Sequence, residues 1–149
     1  MKHYLKLMRV HHYIKNLLVF VTIVCSGQLI CAQKLQAATL GFIAFCMISS
    51  VIYIINDIKD VEHDINHPQK RNRPLAAGTI TFKTAWGLVL CLSLIAFICN
   101  YFIFDITATI ILMLYLILNL AYSFGLKNIP IVDITILVAG FLIRILYGA

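Results

Sequence analysis

The chain has 149 residues, 62% of them hydrophobic and only 12% charged, with a mean hydropathy of +0.94. Water-soluble domains carry about 25% charged residues, so this composition cannot coat a water-facing surface, and a bilayer is the expected solvent. The net charge of +6 does not mark a nucleic-acid partner, because the cations collect in short segments beside apolar runs, a positive-inside pattern rather than a basic groove.

In chain order, Lys2, Lys6, Arg9 and Lys15 precede a first apolar run at 17–33. Basic residues before a hydrophobic stretch also describe a signal peptide, but further runs follow at 37–56, 82–101, 106–124 and 130–147, so a first transmembrane helix is expected. The stretch from Tyr4 to Ile14 reads as a short amphipathic helix on the membrane surface. Each run has about the length that crosses the hydrocarbon core. The expected fold is therefore all-α, a polytopic transmembrane helix bundle of about five spans. Cys25, Cys31, Cys46, Cys91 and Cys99 all lie inside apolar runs without a C-x-x-C pair, which fits small packing residues and gives no support for zinc or disulfides.

Loop charge sets the orientation. The N-terminus, the 57–81 loop and the Gly125–Ile129 turn hold Lys2, Lys6, Arg9, Lys15, Lys59, Lys70, Arg71, Arg73 and Lys127, while the other side has only Lys34. Lysine and arginine stay cytoplasmic, so the N-terminus and the long loop are expected to face the cytoplasm from the inner membrane.

The 57–81 loop and the helix leading into it carry the chemistry. With residues 49–64 placed on one helix, at about 100° per residue, Asn56, Asp57, Asp60 and Asp64 share one arc, with Ser49 and Tyr53 below them in the same arc. Glu62 and Lys59 point elsewhere. Three carboxylates on one face repel each other unless a cation sits among them. Hard oxygen ligands select magnesium or calcium over zinc, and magnesium characteristically completes its shell with water and phosphate. Lys70, Arg71 and Arg73 follow closely and suit the outer phosphate oxygens. Together these residues read as a metal–diphosphate site. Asp57, Asp60 and Asp64 are its expected working carboxylates, and Asn56 is their companion in holding metal and substrate. An EF-hand fails on its glycine and terminal glutamate positions. His63 and His67 stand four apart, but no glutamate follows His63, so the metalloprotease pattern is absent.

Polar residues inside the other spans point the same way, since intramembrane charge is costly and by default functional. Tyr115, Asn119 and Tyr122 share a face of the fourth run, with Lys127 after it. Asp133 and Arg144 lie on one side of the fifth run but about 16 Å apart along it, too far to pair. Each therefore needs another partner or the cavity. Lys15 and Asn16 sit where the first run enters the cytoplasmic face and suit another phosphate, or interfacial anchoring. Asp105, on the far loop, reads as solvated.

Asn56-Asp57-x-x-Asp60-x-x-x-Asp64, followed by Arg73-Pro74-Leu75-x-x-Gly78, resembles the first aspartate-rich motif of the UbiA superfamily of intramembrane prenyltransferases and the segment after it. Tyr122-Ser123 with Lys127 resembles that family's Tyr/Lys motif. His12-Tyr13-Ile14-Lys15-Asn16-Leu17, His67-Pro68-x-Lys70-Arg71-x-Arg73-Pro74, Val132-Asp133 and Ala139-Gly140-Phe141-x-x-Arg144 are similar to one branch, the decaprenyl-phosphate phosphoribosyltransferases. The resemblance implies a nine-helix fold, of which residues 1–149 resemble the N-terminal part of a single domain. It implies Mg2+ as cofactor and membrane lipid as surroundings. The implied substrates are a polyprenyl phosphate or diphosphate lipid together with phosphoribosyl diphosphate or, in the rest of the superfamily, an aromatic acceptor. Lys15, Asn16, Asn56, Lys70, Arg71, Arg73, Tyr122, Lys127 and Asp133 are the implied substrate contacts. Asn56, Asp57, Asp60 and Asp64 are the implied metal–diphosphate set.

Overall fold

A computed structural model describes residues 2–103, 105–125 and 130–148, without the side chains of Pro130 and Asp133. Among the described residues all regular structure is helical, with no strand. Helix α1 (Lys2–Leu7) leads through a turn at Met8-Arg9 into a 3-10 helix (Val10–Phe20), which continues as α2 (Val21–Cys25). Then come α3 (Ala32–Lys59), the short α4 (Val61–Asn66), a 3-10 turn (Lys70–Asn72), α5 (Phe82–Tyr101), α6 (Ile106–Phe124) and α7 (Pro130–Tyr147).

Three of these, α3, α5 and α6, are long and apolar enough to cross a membrane, and two shorter apolar stretches run Val10–Cys25 and Ile134–Tyr147. The first stretch differs from its expected bounds at both ends. Helical winding begins at Val10, and it stops after Cys25 because Gly27 takes a left-handed φ of +69°. Its 3-10 winding compensates for its few residues. At roughly 2.0 Å per 3-10 residue and 1.5 Å per α residue, Val10–Cys25 extends about 30 Å, close to the hydrocarbon thickness. The surface helix expected over 4–14 is split, with α1 before the turn and the 3-10 helix after it.

Helix α3 is the central post. It packs along α5 and touches the 3-10 helix, α6, α1 and α4. Its apolar residues divide between two cores. Ala44, Phe45 and Ile48 join Val19, Ala96, Leu112, Ile143 and Tyr147 in one. Val51 and Ile54 join Leu7, Val89 and Leu92 in the other, with Leu75 and Ile80 from the loop. Close approach between helices is set by Gly41, where a Cβ would lie 2.6 Å from Tyr147 Cε1. Outward faces of α5, α6 and α7 present Leu90, Ile110, Ile117 and Leu137, as expected of helices solvated by hydrocarbon.

Helix caps are built from local side chains. Thr81 Oγ1 accepts from Thr84 N at 3.3 Å at the start of α5, and Asp105 Oδ1 accepts from Thr107 N at 2.8 Å at the start of α6. Asp105, expected to be merely solvated, thus satisfies one of the orphan donors of a helix start.

Candidate functional site

The polar seam of α3 leads to the acidic cluster, but the helix does not run unbroken to Asp64. It ends at Lys59, and Asp60 (φ −90°, ψ 6°) joins it to α4. The break is shallow, because Asp60 N still donates to the Asn56 carbonyl and Asp64 N to the Asp60 carbonyl, both at 2.9 Å. Asp57 and Asp64 therefore stay on one side, and both are 2% exposed. Asn56 and Asp60 are half-buried beside them.

Between the two buried carboxylates lies Arg73. Its Nη1 donates to Asp64 Oδ2 at 2.7 Å and to Asp57 Oδ1 at 3.1 Å. Arg9 Nη2 donates to the same Asp57 oxygen at 2.7 Å. Desolvating two carboxylates costs several kcal/mol unless cations and hydrogen bonds compensate them, so the two arginines are what makes the burial possible.

Each arginine is delivered by its own fold. For Arg73 the device is the segment that follows it. Pro74 has no N–H to extend the preceding turn, and its carbonyl accepts from Thr79 N, Thr79 Oγ1 and Ile80 N at 3.0, 3.0 and 3.2 Å. Gly78 turns the chain with φ +68°, a conformation that favours glycine. Leu75 and Ile80 anchor the loop in the core. For Arg9 the device is strain. Among the described residues it is the one non-glycine with positive φ, at 50°, and such conformations persist where the surroundings over-determine them. The surroundings here are Ser50, whose Oγ donates to the Met8 carbonyl at 2.9 Å and lies 2.7 Å from the Tyr13 hydroxyl. The Arg9 guanidinium also sits over the Tyr53 ring, 4.7 Å from its centroid.

Lys70 and Arg71 stand exposed on the 3-10 turn before Arg73, outside these ion pairs. His67 shapes that turn, with Nδ1 accepting from Gln69 N at 3.2 Å and Lys70 N at 3.3 Å. Lys6 Nζ donates to the Asn72 carbonyl at 2.8 Å, so the N-terminal helix and the basic loop lie at the same end of the bundle. Lys59, expected to point away from the acids, donates to the Ser123 carbonyl and covers the Phe124 ring at 4.5 Å. That places a cation on the last turn of α6, where unsatisfied carbonyls favour it.

A second polar group lies deeper. Asn16, 1% exposed, has its Nδ2 3.3 Å from Cys46 Sγ and 3.4 Å from Ser49 Oγ. Its Oδ1 accepts from Arg144 Nε at 2.8 Å. Tyr115, Asn119 and Tyr122 line one cavity, together with Lys15, Tyr53 and Arg144. Lys127 lies outside the described residues, and so does the side chain of Asp133. Sequence reasoning did not single out Arg9 as a site residue, since it merges with the basic flank and meets Asp57 across a separation of 48 residues.

Among the described residues no three histidine, cysteine or carboxylate side chains converge as a metal cage. The pair that does converge consists of hard oxygen donors already facing one cationic nitrogen at 2.7 and 3.1 Å. Such a pair suits a cation that takes most of its shell from water and phosphate, the habit of Mg2+.

The profile of the UbiA prenyltransferase family matches residues 17–149. The decaprenyl-phosphate phosphoribosyltransferase of Mycolicibacterium smegmatis is 37% identical over 148 residues, 97% of this chain and 46% of that protein. Its namesake in Corynebacterium glutamicum is 31% identical over 147 residues, 97% of this chain and 44% of that protein. The 4-hydroxybenzoate octaprenyltransferase of Francisella tularensis subsp. novicida is 32% identical over 148 residues, 85% of this chain and 51% of that protein. The chain thus spans about half the length of the curated relatives it matches.

Proposed function

Because the chain belongs to the UbiA prenyltransferase family and is an integral membrane protein, we propose that it carries the diphosphate-binding wall of a membrane transferase. The reaction we assign is transfer of 5-phosphoribose from phosphoribosyl diphosphate to a polyprenyl phosphate, with the N-terminus and the 57–81 loop facing the cytoplasm. The observation that carries this reading is Arg73 bridging two buried aspartates on a membrane helix. A guanidinium held by carboxylates is a cation parked where a metal–diphosphate complex would bind, and it is free to turn to phosphate when a metal takes its place.

In the reaction the bond between C1 of the sugar and the diphosphate oxygen breaks, and the electron pair leaves with diphosphate. An oxygen of the lipid phosphate forms the new bond to C1. That oxygen is already anionic, so no aspartate needs to act as a base. Mg2+, when bound, would neutralise charge developing on the leaving diphosphate. Asp57, Asp60, Asp64 and Asn56 would hold it. Arg73, released from the carboxylates, and Arg9 would add positive charge against the leaving diphosphate. Lys70 and Arg71, exposed at the rim, suit the 5-phosphate of the sugar.

The similarity to two phosphoribosyltransferases supports the sugar donor. The similarity to an octaprenyltransferase supports a second reading, in which a prenyl diphosphate occupies the aspartate site and an aromatic ring is alkylated. The leaving group is the same, so one assay separates them. The detergent-purified protein is given magnesium with phosphoribosyl diphosphate and a polyprenyl phosphate, and diphosphate release is followed. Release that disappears in Asp57→Ala supports the proposal. Release only with a prenyl diphosphate and an aromatic acid moves the assignment to prenylation, and release with neither pair contradicts both.

A further inference from the structure

Arg144 is buried at 8% exposure among α3, α6, α7 and the 3-10 helix, and its hydrogen-bond partners among the described residues are neutral. Nε donates to Asn16 Oδ1 at 2.8 Å, Nη2 to the Tyr115 hydroxyl at 2.7 Å and Nη1 to the Gly140 carbonyl. Dipoles orient a guanidinium but leave its charge standing. Among the described residues no carboxylate lies within ion-pair range of it. The Tyr115 ring at 4.9 Å and the Phe45 ring at 5.8 Å from the guanidinium offset part of that charge, and a cation held at membrane depth by neutral groups marks a ligand by default.

The guanidinium borders a cavity of about 200 Å³ lined also by Lys15, Tyr53, Tyr115, Asn119 and Tyr122. Among the described residues its polar lining holds two cations, three phenols and an amide, with no acid. One further wall is apolar, formed by Ile136, Leu137 and Phe141. Beyond that wall the outer face of α7 exposes Ile134, Leu137 and Val138, so a hydrocarbon tail can leave sideways without crossing water. Asn16 is itself held by Cys46 and Ser49, so Arg144 is fixed before any ligand arrives.

From this we infer a phosphate subsite, separate from the aspartate site, in which Arg144 and Lys15 grip the phosphate monoester of an isoprenoid lipid. The inference rests on the transferase reading and assigns its acceptor a place. Tyr53 stands between the two sites. It lines this cavity, lies one helical turn, about 6 Å, from Asp57 on α3, and carries Arg9 over its ring at 4.7 Å. Tyr53 thus joins the lining of the acceptor cavity to the aspartate end of α3.

The test titrates the detergent-purified protein with farnesyl phosphate, farnesol and inorganic phosphate by calorimetry. Farnesyl phosphate is expected to bind well above both controls. Lys15→Gln, at an exposed position, and Arg144→Lys, which keeps the charge but loses the fork, should each weaken it about tenfold. Equal binding of farnesol, inorganic phosphate as tight as farnesyl phosphate, or unchanged affinity in Lys15→Gln would overturn the inference. Magnesium-dependent binding of phosphoribosyl diphosphate is measured in the same samples. If it persists while farnesyl phosphate binding ignores Lys15, only the acceptor subsite fails. If it too is absent, the transferase reading fails.

Discussion

At the scale of single residues, the site is an exercise in compensating buried charge. Asp57 and Asp64 are tolerable because Arg73 and Arg9 reach them. Removing Arg73 leaves two carboxylates facing each other with one cation, a loss of about 2 kcal/mol, below the cost of a fully dry pair because Arg73 is partly exposed. We therefore expect Arg73→Ala to lower the melting temperature in detergent. Millimolar magnesium should restore more of that loss than it adds to the parent protein, since a divalent ion can take the vacated position. A variant whose stability ignores magnesium would show that the carboxylates do not accept a metal. The acidic half of this arrangement was legible in the sequence, because its spacing is local and helical. The partners were less so. Arg9 meets Asp57 and Arg144 meets Asn16 across separations of 48 and 128 residues, and no periodicity links positions that far apart.

Among the elements, the apolar runs from 82, 106 and 130 were readable because a 3.6-residue helix of hydrophobic residues is both the cheapest and the commonest way to cross hydrocarbon. The break at Asp60 and the 3-10 winding of Val10–Phe20 were not. At Asp60 the hydrogen-bond register survives the break, so a continuous helix and a kinked one leave nearly the same residue pattern. The 3-10 helix packs against α3 and α7, contacts that a local reading of residues 10–20 does not contain. The loop after Arg73 offers a cleaner test of an element's role. Gly78 has φ +68° with open space around its missing Cβ, so Gly78→Ala adds backbone strain without a clash. It should cost about 1 kcal/mol and weaken magnesium-dependent donor binding by displacing Arg73. Unchanged donor affinity with the expected loss of stability would mean that the loop supports the fold but does not aim the arginine.

For the molecule as a whole, charge and depth are arranged along one axis. Lys6, Arg9, Arg73 and the aspartates gather at one end, while Cys31 is exposed in the turn between α2 and α3. With Cys31 as the sole cysteine, a membrane-impermeant maleimide added outside intact cells should label it. In a cysteine-free background, R71C should label only after permeabilisation, and labelling of R71C from outside would reverse the proposed orientation. The central claim is that the buried Asp57–Arg73–Asp64 group receives a metal–diphosphate. Its most direct measurement is calorimetric titration of phosphoribosyl diphosphate, with and without magnesium, into the parent protein and Asp57→Asn. The account predicts binding that requires magnesium and is lost in Asp57→Asn, and binding that ignores either the metal or the substitution would contradict it.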